Sequence, residues 1–364
     1  MVRGGPSLST GRHSHRRYNP LLDEWVLCSP GRLDRPWQGQ TEATGAEELP
    51  AYDPDCALCP GNRRAGGERN PDYSGTFAFS NDFPALSATV EDAPASREPF
   101  LRSQPESGLC RVLCFSPRHD LTLAGMGQAE IRRVVDAWAE EVARLGGQAG
   151  IGHVQVFENK GAMMGCSNPH PHCQIWATAH LPTGAQRRLT AQRRYLQENG
   201  RDLLGDYLSR ERAEGARIVC ANDHWAVLVP FWAVWPFETL VIPARTVGHL
   251  SGLFPDERDA LADILGRLNR RYDNLFGVSF PYSMSWHGQP TDGANHPYWR
   301  LHASYFPPLL RSATVRKFVV GYELAAEAQR DFTPEDAAAR LRSVPDVPVP
   351  GRIGARAAEG RSPR

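Results

Sequence analysis

Residues 159–177 read Asn159-Lys-Gly-Ala-Met-Met-Gly-Cys-Ser-Asn-Pro-His-Pro-His-Cys-Gln-Ile-Trp-Ala177. A glycine-bearing turn runs here into a strand-like segment headed by His170, Pro171 and His172. Pro171 biases His170 away from helix towards extended backbone. Alternate residues of a strand share a face, so His170, His172 and Gln174 are expected to point one way, Cys173 and Ile175 the other. Two imidazoles and an amide on one face, beside a loop carrying Gly161, Gly165 and Ser167, suit a phosphate ester better than an apolar core. Neutral imidazole is a competent nucleophile near pH 7, its ordinary pKa being about 6.5. It can attack phosphorus and leave again, which divides one transfer into two easier displacements. The loop offers backbone N–H groups and the Ser167 hydroxyl to phosphate oxygens. Taken alone, a His-x-His pair equally fits half of a metal site, or two satisfied polar residues at a strand edge.

Working outward, Arg111–Phe115 and His153–Phe157 read as strands. Between them Ile131, Val134, Val135, Trp138, Val142 and Leu145 recur at helical spacing, which predicts a helix over about 128–145. Trp225–Pro230 and Glu238–Ile242 again read as strands, and a helix is expected from Pro255 to Phe276 with Gly277 as its cap. Phe280–Trp286, a loop and His296–Phe306 complete the second set. Strands, helix, strand, glycine loop and histidine-bearing strand occur twice, the mark of an internal duplication in which only the first copy keeps His-Pro-His. The expected organisation is a catalytic half over 17–200 and a second half over 201–344. Segments 1–16 and 345–364, rich in Gly, Pro, Ser and Arg, are expected to be disordered. Residues 40–110 read as long loops around short strands.

A chain of 364 residues buries enough surface to need no disulfide staples. No apolar run approaches the ~20 residues of a membrane span, and Met1–Thr10 lacks the apolar core of a secretory signal. Eight cysteines in such a chain point to reduced thiols and metal ligands, and a cytoplasmic location is expected. Lys plus Arg equals Asp plus Glu at 41 each, which argues against a protein held on nucleic acid or membrane by bulk charge. An anionic ligand must then be met locally, with Arg32/Arg35 and Arg311/Arg316/Lys317 as candidates; either cluster alone is also an ordinary solvated surface.

The stretch resembles the galactose-1-phosphate uridylyltransferases of the histidine-triad superfamily, and the resemblance extends along the chain. It includes Arg17-Tyr-Asn-Pro20, Ser29-Pro-Gly-Arg32, Arg35-Pro-Trp-Gln-Gly39 and Cys56-Ala-Leu-Cys59-Pro-Gly-Asn62. Ser80-Asn-Asp-Phe-Pro84, Cys114-Phe-Ser-Pro-Arg-His119, Tyr282-Ser-Met-Ser-Trp-His287, Leu301-His302 and Pro307–Phe318 follow in the family's order. The resemblance implies an α+β fold of tandem histidine-triad-like repeats, antiparallel sheets with helices packed on one face. It implies one structural zinc held by Cys56, Cys59, His119 and His170; by itself a lone Cys-x-x-C is only half a zinc site.

By position in the family, His172 is the nucleophile, with Gln174 and Ser167 assisting. Gly165, Cys166 and Ser167 cradle phosphates, Asn159 orients the same loop, and Ala65, Asn81 and Asp82 line the uridine and ribose pocket. Arg32 and Arg35 meet a second sugar phosphate. Lys317, Phe318, Tyr322, Glu323 and Gln329 match a segment that reaches across a homodimer interface, so active sites are expected to be shared between subunits. Many relatives carry a second metal, iron among those expected, on a Glu and three later histidines. His287 and His302 are kept here, but Arg188 and Ser304 stand where the Glu and the last His are expected, so that site is expected to be lost.

The expected activity is transfer of uridylyl from UDP-glucose to galactose 1-phosphate through a uridylyl-histidine. A nucleotide-sugar or dinucleotide phosphorylase of the same superfamily is the nearest rival, and a zinc-stabilised nucleotide-binding module without turnover is a third reading. Binding alone does not call for a nucleophile in His-Pro-His-x-Gln.

Overall fold

The computed structural model describes residues 13–34, 49–90 and 95–348. The first half holds β1 (His15–Asn19), β2 (Glu24–Cys28), β3 (Phe77–Ser80), β4 (Gly108–Cys114), α1 (Gln128–Gly146), β5 (His153–Lys160) and β6 (His172–Thr178). Two helices, α2 (Thr183–Asn199) and α3 (Leu203–Glu214), lead into the second half. There follow β7 (Ile218–Ala221), β8 (Trp225–Leu228), β9 (Thr239–Pro243), α4 (Pro255–Phe276), β10 (Tyr282–His287) and β11 (His302–Phe306). The chain then forms β12 (Leu309–Ser312), β13 (Val315–Arg316), α5 (Tyr322–Ala325), β14 (Ala328–Arg330) and α6 (Pro334–Ser343). No helix among the described residues is long and apolar enough to cross a membrane.

Nine strands form one sheet in the order β3-β4-β6-β5-β10-β11-β9-β8-β7. Read inward from each edge, β3-β4-β6-β5 and β8-β9-β11-β10 follow the same path, with β7 added outside β8. The halves meet where β5 and β10 pair antiparallel, Phe157 opposite Ser285. Phe157 also faces Gln174 on β6, and Ser285 faces Ser304 on β11. His172 and His302 therefore occupy matching positions, each two residues before its cross-strand pair. Each also turns Nδ1 to the carbonyl two residues back, at 2.7 Å to His170 and 2.9 Å to Arg300. The duplication legible in the sequence is present in the strand register itself.

The helical spacing has the consequence expected of it. Ile131, Val134, Val135, Trp138, Val142 and Leu145 of α1 are buried, as are Leu261, Ile264, Leu265, Leu268 and Tyr272 of α4. Both helices lie on one face of the sheet and share a single core with it. Trp286 on β10 ties that core together, its ring 6.1 Å from Trp138 of α1 and 6.0 Å from Trp225 of β8. Each such buried apolar side chain is worth about 1.5–3 kcal/mol over exposure. Val227 and Val241 face this core, while their neighbours Ala226, Leu228, Leu240 and Ile242 face the other way against Leu203, Leu204 and Leu208 of α3.

A small sheet, β1-β2-β14, brings residues 15–28 together with residues 328–330, β14 running parallel to β2. Buried Arg17 of β1 reaches Glu335 of α6 at 3.0 Å, and Arg217 reaches the same carboxylate at 2.7 Å. Most of the segments expected to be disordered lie outside the described residues. His15 and Arg16 belong to β1, and Asp346 accepts from Arg267 and Arg271 at 3.0 Å each.

Candidate active site and metal centre

β6 alternates part-buried and buried residues, with His172, Gln174 and Trp176 on one side and Cys173, Ile175 and Ala177 in the core. The His172 Nδ1–H donates to the His170 carbonyl at 2.7 Å, so Nε2 carries the lone pair. Burial pushes its pKa down against the opposing pull of that bond, and the ring is neutral near pH 7. Gln174 Oε1 accepts the Trp176 indole N–H at 3.0 Å, which leaves the Gln174 amide N–H groups free to donate.

A cavity at this point is lined by Phe157, Asn159, Gly165, Cys166, Ser167, His172, Cys173 and Gln174. Its rim is the loop after β5, where Gly161 and Gly165 hold φ of +86° and +77°, backbone that side-chain-bearing residues avoid. Asn159 Oδ1 accepts from the Ser283 hydroxyl at 2.7 Å, tying the end of β5, just ahead of the loop, to β10. Two thiols, Cys166 and Cys173, line the same cavity, and both are unsuited to attack. Cys173 is buried, accepts from the Trp138 indole at 3.2 Å and has its pKa pushed well up by burial. The Cys166 thiol is also pushed up by burial, and donates to the Asn168 carbonyl at 3.1 Å.

His170 lies just before β6 with its ring buried among cysteines. Donor atoms of Cys56, Cys59, His119 and His170 all fall within 4.8 Å of one another, the one such group of three or more found among the described residues. Cys59 Sγ stands 3.7 Å from His119 Nδ1 and 3.5 Å from His170 Nδ1. A tetrahedral zinc with bonds of about 2.3 Å to sulfur and about 2.0 Å to nitrogen requires sulfur–nitrogen edges of about 3.5 Å, so the donors fit.

The surroundings fit as well. His170 Nε2 donates to the Ser116 carbonyl at 2.9 Å and lies 3.1 Å from the Tyr73 hydroxyl, leaving Nδ1 unprotonated towards the cluster. His119 Nε2 lies 4.0 Å from the Asp53 carboxylate. The Leu58 N–H donates to Cys56 Sγ at 3.3 Å. Burial holds His170 down to about 4 and pushes the Cys59 thiol up to about 11, a thiol that a bound dication would deprotonate. Four protein donors leave no open position, the mark of a structural site. Since the His170 carbonyl orients His172, one residue serves both centres.

Asn81 and Asp82 follow β3, and Asp82 is met by buried Arg64, whose Nε lies 3.6 Å from Oδ1 and whose guanidinium stacks 4.3 Å from the Phe79 ring centre. A Cβ on Gly66 would come within 2.8 Å of that carboxylate, so the turn beside exposed Ala65 admits only glycine without a shift. Arg35 lies outside the described residues. The remaining candidates gather at the small sheet and do not line the His172 cavity. Arg32 pairs with Asp331 at 3.1 Å, Gln329 donates to the same carboxylate at 3.0 Å, and Lys317 is held by Glu323 and the Gln329 carbonyl at 2.6 Å each. Phe318 and Tyr322 are exposed.

Around the matching position in the second half, the His287 and His302 rings are buried 4.7 Å apart. Burial, with Arg188 adding to it, holds His302 down to about 3. Trp176, Tyr73, Asp53 and Arg64 escaped the sequence reading. Only Trp176 carried a local signal, being on the same face as Gln174.

Two family models cover the chain: galactose-1-phosphate uridyl transferase, N-terminal domain, over residues 7–182, and the C-terminal domain over 188–350. The chain belongs to the galactose-1-phosphate uridylyltransferase family. Within it, the galactose-1-phosphate uridylyltransferase of Rattus norvegicus is 55% identical over 338 residues, 92% of this chain and 89% of that protein. That of Haemophilus influenzae is 52% identical, over 92% of this chain and 95% of its own length. A solved uridylyltransferase structure superimposes with a TM-score of 0.72 at 26% identity, covering 91% of this chain and 98% of that one. An ADP-glucose phosphorylase from Arabidopsis thaliana shares the fold at TM-score 0.72 and 23% identity, with 91% and 99% covered.

Proposed function

We propose that this chain is a UDP-glucose:hexose-1-phosphate uridylyltransferase, converting UDP-glucose and galactose 1-phosphate to glucose 1-phosphate and UDP-galactose. The observation that carries the reading is the His172 ring, which lines the cavity with its Nδ1 proton committed to the His170 carbonyl at 2.7 Å, so that Nε2 keeps the lone pair. In the first displacement Nε2 attacks the α-phosphorus, an N–P bond forms, and the P–O bond to glucose 1-phosphate breaks with its electron pair. In the second, a phosphate oxygen of galactose 1-phosphate attacks the same phosphorus, and the N–P electrons return to the imidazole. No proton need move, because Nδ1–H stays on the carbonyl throughout. Positioning and charge neutralisation by the Gln174 amide, Ser167 and the backbone of Gly165 and Cys166 supply the catalysis.

Asn81, Asp82 and Ala65 would meet the uridine and its ribose, with Asp82 as acceptor for hydroxyls. Cys56, Cys59, His119 and His170 would hold one structural zinc per chain, and Arg188 beside His287 and His302 would repel a second cation. Lys317 and Glu323 close residues 317–329 on themselves, turning Phe318, Val320, Tyr322 and Leu324 outward. A second copy of the chain would cover this apolar surface and bring the segment, with Arg32 and Arg35, to the hexose phosphate. The protein would act in the cytoplasm.

The test is a product assay with UDP-glucose against a panel of hexose 1-phosphates and inorganic phosphate. UDP-galactose from galactose 1-phosphate is expected; use of phosphate with no hexose 1-phosphate would mark a phosphorylase instead.

A further inference from the structure

Asn168 lies between the glycine loop and the catalytic strand and touches the metal centre as well as both. Its side-chain Oδ1 accepts the His170 backbone N–H at 3.0 Å, and its Nδ2 stands 3.4 Å from Cys56 Sγ. Its own carbonyl accepts the Cys166 thiol at 3.1 Å. A backbone N–H can only donate, so the atom facing His170 is the oxygen and the amide nitrogen is left for sulfur. Oδ1 also lies 3.5 Å from Cys56 Sγ, a contact that attracts a thiol but not a thiolate. Once Cys56 is a metal-bound thiolate, the N–H···S contact is therefore the attractive one.

We propose that Asn168 is a positioning residue that couples the metal centre to the nucleophile. One end of the amide stabilises the Cys56 thiolate. The other closes a side-chain turn that sets the His170 backbone, and with it the carbonyl that orients His172. The inference rests on the reading of Cys56, Cys59, His119 and His170 as metal ligands. Partners of ligating groups typically change metal affinity by about 10–100-fold when removed.

Two variants separate the two ends. Asn168→Asp keeps an oxygen for the His170 N–H but places a second carboxylate oxygen against sulfur. Asn168→Ala removes both contacts. Zinc affinity is measured by chelator competition, and the sulfur-to-cobalt charge-transfer band is recorded on the cobalt(II)-loaded full chain. Both variants are expected to lose about 10–100-fold in zinc affinity, the range for such partners, and to shift the band to lower energy. With saturating zinc, kcat should return near the parent value in Asn168→Asp but stay low in Asn168→Ala. Unchanged affinity and band in Asn168→Asp would overturn the proposal, even if Asn168→Ala fails to fold. A parent protein that takes up neither zinc nor cobalt would instead overturn the metal-site reading on which it stands.

Discussion

Replacing Cys59 by serine removes one of the four proposed metal donors with almost no change of volume, so any loss is not a cavity effect. Cys59 is wholly buried, and its sulfur is the atom placed at bonding-edge distance from both histidines, 3.7 and 3.5 Å. The donors come from the Cys-x-x-C loop, from His119 after β4 and from His170 before β6, so a bound metal would fasten segments that the chain leaves far apart. If losing the thiolate weakens binding about 1,000-fold, the native state loses about 4 kcal/mol of ligand stabilisation. With an unfolding entropy of about 2.1 cal/mol/K per residue, a chain of 364 residues shifts by about 1.3 °C per kcal/mol, so the melting temperature should fall by roughly 5 °C. Turnover should fall too, because the His170 carbonyl that orients His172 is no longer anchored. The assay is elemental analysis beside calorimetry: about one metal per chain in the parent, set by a single four-donor site, and loss of metal and stability together in Cys59→Ser. A variant that keeps its metal and its melting temperature would refute the reasoning, as would a well-folded parent without bound metal.

Two further perturbations probe the strand and its support. Gln174→Ala removes the free amide donor and should cost about 10²–10³ in kcat, the value of one preorganised donor at a charged centre; Trp176→Phe, which only frees Gln174 to rotate, should cost far less, and equal losses would contradict the assigned orientation. Burial pushes the Glu158 carboxyl up to about 7 against Lys160 and the Tyr282 hydroxyl, which donates to it at 3.1 Å. A raised folded pKa means its contribution is whole below the unfolded value of about 4.3 and is lost as pH rises through about 7. Glu158→Gln should flatten the decline of melting temperature between pH 5 and 8, and a difference from the parent that does not vary with pH would count against it.

Much of this architecture was legible because its signals are local. The 3.6-residue period of α1 and α4, with Gly277 at φ +69° closing the latter, placed both helices almost to the residue. The two-residue period after Pro171 separated His172 and Gln174 from Cys173 and Ile175. Helix α2 left no such trace: it carries Arg187, Arg188, Arg193 and Arg194 and buries only Leu189, Ala191 and Gln192. Helix α3 was not anticipated from the sequence either; in the structure the Asp202 carboxylate accepts the Gly205 N–H at 2.6 Å and caps it ahead of Leu203, Leu204 and Leu208. The parallel pairing of β14 with β2 and the Arg17–Glu335–Arg217 cluster join opposite ends of the chain, and no local pattern encodes them. The support of the site is hidden for the same reason, since Tyr73, Ser116 and Asp53 meet His119 and His170 only in three dimensions.

The central claim is a covalent uridylyl group on His172 Nε2. The direct measurement is incubation with UDP-glucose labelled in the uridine, without acceptor, followed by alkaline denaturation and peptide mapping. Phosphoramidates survive alkali, so label is expected on His172, discharged by galactose 1-phosphate and absent from His172→Ala. Full turnover in that variant, or label on Cys166, would contradict the account.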